Sequence, residues 1–77
     1  MKLRSIKDLL KNIGSNRHYY ISLNITDQNL LLKRINKASE TAYQHDNLDL
    51  IHRLRVERDE LEHVIDLMTF HGITRIK

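Results

Sequence analysis

Apolar positions change their spacing twice along this chain, and each change marks a predicted element. Ile6, Leu9, Leu10 and Ile13 recur at helical intervals. Ser5 precedes them and Asp8 stands three residues later, which has the form of a capping box, while Gly14 stands where a left-handed C-cap residue belongs. A short helix is predicted over residues 5–13, with Ser15, Asn16 and Arg17 as a turn. Then the period shortens to two: Ile21, Leu23 and Ile25 alternate with Tyr20, Ser22 and Asn24. Alternation in β-favouring residues predicts one strand over residues 18–25, greasy on one face and hydrogen-bonding on the other.

The helical period returns after Thr26 and Asp27, either of which can cap the next helix. Leu31, Ile35, Ala38 and Ala42 set a 4-3-4 rhythm and predict a helix over residues 27–45. His45, Asp46 and Asn47 break it, because Asp and Asn favour caps over helix interiors. A second long helix is predicted over residues 47–70, with a stripe of Leu50/Ile51, Leu54, Leu61, Val64/Ile65 and Met68 interrupted at Glu57 and Arg58. Gly72 is its expected C-cap, and residues 73–76 form an extended tail or a second brief strand. The predicted class is α+β: one small domain over residues 1–77 with a short N-terminal helix, one strand and a long helical hairpin. A lone strand cannot satisfy its own backbone ladder, so the strand must pair with residues 73–76 or with a second copy, and a dimer is expected.

Charge adds a direction to this picture. Residues 1–37 carry eight Lys/Arg against two acids, whereas residues 38–77 carry five against eight. A basic N-terminal half joined to an acidic, helix-patterned C-terminal half predicts a binding surface attached to an assembly element. With no cysteine, disulfides, thiolate metal sites and cysteine nucleophiles are excluded. The longest apolar run is Leu30-Leu31-Leu32, far short of a membrane span, and no apolar region follows Lys2 and Arg4 to make a secretory signal. A cytoplasmic protein is expected, with no membrane partner.

An alternating strand followed by two amphipathic helices in a small basic chain resembles the ribbon–helix–helix family of DNA-binding proteins, over about residues 18–70. That resemblance implies an obligate dimer whose paired strands enter the major groove. Carried onto this chain, it makes Tyr20, Ser22 and Asn24 the outward, base-reading residues and Ile21, Leu23 and Ile25 the inward ones. Arg17, Lys33 and Arg34 become phosphate contacts, and Leu54, Leu61, Ile65 and Met68 join the dimer interface.

Other chemistry is thin. His45, His52 and His63 fall within about 20° of one line on a helix of 3.6 residues per turn, opposite the Leu54/Leu61 stripe, so they are expected to face solvent and not to hold a metal. No glycine-rich phosphate loop or nucleophile–base–acid set is present, and neither an enzyme, a cofactor nor a small-molecule substrate is expected. From Arg53 to Glu62 the charges alternate, predicting i, i+4 pairs such as Arg53–Glu57, Arg55–Asp59 and Arg58–Glu62. The leading expectation is a non-enzymatic, homodimeric DNA-binding regulator. Its alternative is a small inhibitor or adaptor, of the kind mobile elements encode, engaging a host protein through the hairpin or a free strand edge.

Overall fold

The computed structural model describes residues 3–76, with side chains as far as Phe70. Among the described residues four helices follow in order: α1 (Ile6–Lys11), α2 (Arg17–Ser22), α3 (Ile25–Gln44) and α4 (Leu48–Ile76). α3 and α4 form an antiparallel hairpin that sets the long dimension of a 47 × 20 × 19 Å molecule. α1 packs against both, and α2 lies mainly on α4.

Local chemistry sets the helix ends. The Ser5 hydroxyl accepts from the Asp8 N–H at 3.2 Å and starts α1. Gly14 turns the chain at φ 81°, a left-handed value that a side chain would strain. The Asn24 side-chain oxygen accepts from the Asp27 N–H at 2.8 Å and starts α3. At the far end Asp46 takes φ 53°, the Asp46 N–H reaches the Tyr43 carbonyl and the Asn47 N–H reaches that of Ala42. This pair of bonds is a Schellman closure, and it folds α4 back along α3 within three residues.

The α+β expectation is overturned: among the described residues there is no strand. Residues 17–22 are helix α2, and only Leu23 and Asn24 remain extended before α3 begins. The competing signal was a helical one. Asn16, Tyr20 and Leu23 recur at i, i+4 and i+7 and are all buried, whereas Ile21 and Ile25, which the period of two placed inside, are exposed. β-propensity over so few residues yields to what the neighbours can bury, and α4 offers a face to a helix. The C-terminal strand falls with it. Residues 73–76 continue α4, and Gly72 lies within that helix. With no strand at residues 18–25 to pair with, a helix is the conformation that satisfies this backbone locally.

Leu9 of α1, Tyr20 of α2 and Leu23 just after it, Leu31 and Ile35 of α3, and Leu61 and Val64 of α4 make one buried core. Leu54 and Ala42 continue it toward the turn. Truncating a fully buried leucine such as Leu61 to alanine costs about 2–5 kcal/mol in sites of this kind. The small helices α1 and α2 thus complete a core that two helices alone would leave half open.

Candidate functional site

A buried acid holds the short helices to the long one. Glu57 falls in step with Leu50, Leu54, Leu61 and Val64 on α4, so its carboxylate points inward, and the residue is 1% exposed. Tyr20 donates its hydroxyl to Oε1 at 2.6 Å, and Asn16 Nδ2 lies 2.6 Å from the same oxygen. The Gly14 N–H donates to Oε2 at 3.1 Å. Among the described residues no lysine or arginine lies in hydrogen-bond contact, so three uncharged donors satisfy the carboxylate. Asn16 Nδ2 also faces the carbonyls of Leu9 and Asn12 at 2.9 and 3.1 Å, sharing two hydrogens among three acceptors. Burial first, then the hydrogen bond and charge of Glu57, push the Tyr20 phenol far above its usual range. Gln28 of α3 completes the joint by donating to the Tyr20 carbonyl at 2.8 Å and to Met68 Sδ at 3.0 Å.

This cluster takes several residues that the ribbon model assigned to bases. Tyr20 is fully buried, the Ser22 hydroxyl donates to the Tyr19 carbonyl at 2.6 Å, and Asn24 is the cap of α3. They share no outward face. Of the expected dimer residues, Leu23, Leu54 and Leu61 are buried in the chain's own core and Ile65 and Met68 pack partly against it, while Ile21 and Ile25 stay exposed. The Arg53–Glu57 pair does not form, because Glu57 turns inward and Arg53 reaches back to Asp49 at 3.1 Å. Arg58 lies 3.4 Å from Glu62 and 3.5 Å from Asp59; its buried Nε is near Glu62 yet not aligned for a hydrogen bond.

The phosphate candidates fare differently. Arg17, Lys33 and Arg34 are all exposed, as are Lys7, Lys11 and Lys37. Lys33, Arg34 and Lys37 span an arc of about 100° on the outer side of α3, with 3.6 residues per turn. Among the described residues every ion pair lies within α4, and none of these six cations has an acidic partner. Arg4 is occupied otherwise, its guanidinium 4.2 Å above the Tyr19 ring and its N–H donating to the Tyr19 hydroxyl. The charge asymmetry of the sequence is therefore a spatial one: α4 pairs Arg53 and Arg58 with its own acids, and α1 to α3 leave their cations to solvent.

Two depressions flank the hairpin near its turn. One, of about 430 Å³, is lined by Ala38, Thr41, Ala42, His45, Asn47 and Leu50. The other, of about 220 Å³, is lined by Ser39, Tyr43, Ile51, Arg55 and Arg58. His45, His52 and His63 are exposed, and among the described residues no group of three or more potential ligands is placed to hold a metal ion. No helix among them is long and apolar enough to cross a membrane. Comparison of the chain with family models, with curated proteins and with solved structures finds no match.

Sequence reasoning missed the Glu57 cluster, although a signal for it was present. An acid occupying a seam position between Leu54 and Leu61 must either break the helix face or find buried donors.

Proposed function

We propose that this is a cytoplasmic, non-enzymatic protein that binds nucleic acid through the outer surface of α1 to α3, by contact with phosphates. The observation that carries this reading is the set of six exposed cations, Lys7, Lys11, Arg17, Lys33, Arg34 and Lys37, without an acidic partner among the described residues. Six lysines and arginines left without an acidic partner, while Arg53 and Arg58 of α4 are paired, favour a polyanion. Helices replace the ribbon as the contact element, so the expected binding is governed by the backbone and not by base reading through residues 20–24.

Fluorescence anisotropy with a labelled random-sequence duplex, at about 50 and 200 mM salt, tests this reading. Engaging about six phosphates makes the affinity fall by roughly 10^3 between those salt concentrations. Replacing Lys33, Arg34 and Lys37 together by alanine lowers the salt slope by about one for each phosphate that is no longer engaged. Absence of binding at low salt overturns the proposal.

A second reading has an observation of its own. The 430 Å³ groove is bordered by Ala38 and Ala42, small residues that admit another helix closely, and Leu48 is 77% exposed near the turn. A host protein could be engaged there by an inhibitor or adaptor. Capture of such a partner from a lysate, abolished by Thr41→Arg in the groove and unaffected by the α3 triple alanine variant, would favour it.

A further inference from the structure

We infer that the crevice between Ser39 and Tyr43 of α3 and Ile51, Arg55 and Arg58 of α4 is a subsite for one nucleotide of a single-stranded nucleic acid, with the base on Tyr43 and the phosphate on Arg55. This rests on the nucleic-acid reading above and adds to it a ligand form and a second, separate point of contact.

The geometry starts from helix periodicity. Ile51, Arg55 and Arg58 stand at i, i+4 and i+7, one stripe of α4, and Arg58 is about 100° round the helix from Glu57. The stripe therefore belongs to a different flank of the hairpin from the one that Glu57 offers to α2, and no residue of α1 or α2 lines the crevice. Its volume of about 220 Å³ is below the several hundred Å³ that enclose a free small molecule, which suits one unit of a polymer held elsewhere as well.

The lining chemistry matches such a unit. Tyr43 is 64% exposed, presenting an aromatic ring at the rim. Every base offers a face to stack on it, but only where the base is free of duplex neighbours. Arg55 is exposed and has no acidic partner among the described residues, whereas Arg58 is shared between Asp59 and Glu62. Arg55 is thus the cation left to take a phosphate, and its planar fork suits two phosphate oxygens. Ser39 lines the crevice, and its hydroxyl spends its proton on the Ile35 carbonyl at 3.0 Å, which leaves the oxygen the role of an acceptor. Lys33 and Lys37 stand on the same helix six to ten residues before Tyr43, within about 15 Å at 1.5 Å per residue. A strand a few nucleotides long can therefore touch the α3 cations and the crevice together.

The test compares a labelled single-stranded 20-mer of mixed sequence with its duplex, at matched salt, on wild type and on Tyr43→Ala, Tyr43→Phe and Arg55→Ala. Thermal unfolding of each variant checks folding, which substitutions at exposed positions leave intact. The expected result is tighter binding of the single strand. Tyr43→Ala and Arg55→Ala each lose about tenfold on the single strand and little on the duplex, and Tyr43→Phe keeps the wild-type affinity. If wild type binds duplex and Tyr43→Ala binds the single strand as wild type does, the subsite is wrong while the phosphate surface stands. If wild type binds neither form, the nucleic-acid reading and the subsite fall together.

Discussion

At one end of the hairpin, α1 and α2 close over Leu31, Ile35, Leu61 and Val64 and put Gly14, Asn16 and Tyr20 on the Glu57 carboxylate. Toward the turn, Tyr43 and Leu48 are exposed and a groove lies open along Ala38, Thr41, Ala42 and Leu50. The closed end spends its side chains on itself. Its carboxylate is satisfied by one arrangement, in which two side chains and a turn N–H supply the donors, while the buried Asn16 Oδ1 and Gln28 Oε1 have no partner among the described residues. The open end keeps small, aromatic and cationic side chains at the surface, where they cost the fold little and remain available to a ligand. The groove and the crevice thus lie along a different length of the two helices from the buried cluster, while the cations of α1 to α3 cover the outside of the closed end.

The largest effect should come from removing the acid itself. Glu57→Ala leaves the Tyr20 hydroxyl, an Asn16 N–H and the Gly14 N–H facing a void, and a loss of about 3–5 kcal/mol is expected. Urea unfolding followed by circular dichroism measures it as a lower midpoint. A loss below about 1 kcal/mol, within the range of ordinary surface changes and mild substitutions, would mean that the cluster does not anchor α2.

Removing a single donor is milder and carries a pH signature. Tyr20→Phe keeps the ring in the core and deletes one bond to Glu57, for an expected loss of about 1–3 kcal/mol. In the wild type the folded phenol is held above its ordinary value of 10.0, chiefly by burial. The sign follows from proton counts. Above about pH 10 the unfolded chain loses the Tyr20 proton while the folded chain keeps it, so stability falls as pH rises from there. Below that pH both states are protonated and the contribution is fully present. Unfolding midpoints measured from pH 8 to 11 should therefore fall more steeply for the wild type than for Tyr20→Phe. Parallel curves would show that the phenol is not held in the folded state.

The contrast between the ends also explains what was legible in the sequence. Ser5 and the break at His45, Asp46 and Asn47 could be read because caps and turns depend on a few neighbouring residues. The stripe of Leu31, Ile35, Leu54 and Leu61 could be read because a long amphipathic repeat has one sensible place for its apolar face. Residues 18–25 could not. There an alternation of six residues competed with Asn16, Tyr20 and Leu23 at helical spacing, and the decision was made by Glu57, some forty residues away, which supplies an acceptor for Asn16 and Tyr20. A polar residue at position 16 does not announce itself as buried until its partner is known. The exposed cations were legible as charge and the Arg58–Glu62 pair as an i, i+4 spacing, but that Arg53 would turn back to Asp49 because Glu57 is buried is a property of the folded arrangement.

The smallest expected effect sharpens the comparison from the open end. Leu48 begins α4 and is 77% exposed, so replacing it removes almost no buried apolar surface. Asn47 already caps the helix, its side-chain oxygen accepting from the Leu50 N–H at 3.3 Å, and Asp49 supplies a negative charge to the first turn. Leu48→Glu adds a second charge at the positive end of the helix, a gain of a few tenths of a kcal/mol set against a comparable repulsion from Asp49. The two offset one another, and stability should stay within about 0.5 kcal/mol of the wild type in the same urea experiment. A loss above about 1 kcal/mol would require Leu48 to be covered in solution, and concentration dependence of the midpoint would then identify a second copy as the cover. An unchanged midpoint leaves the turn end free for whatever the protein binds, while the Glu57 end, broken by one substitution, holds α2 and the turn before it on α4.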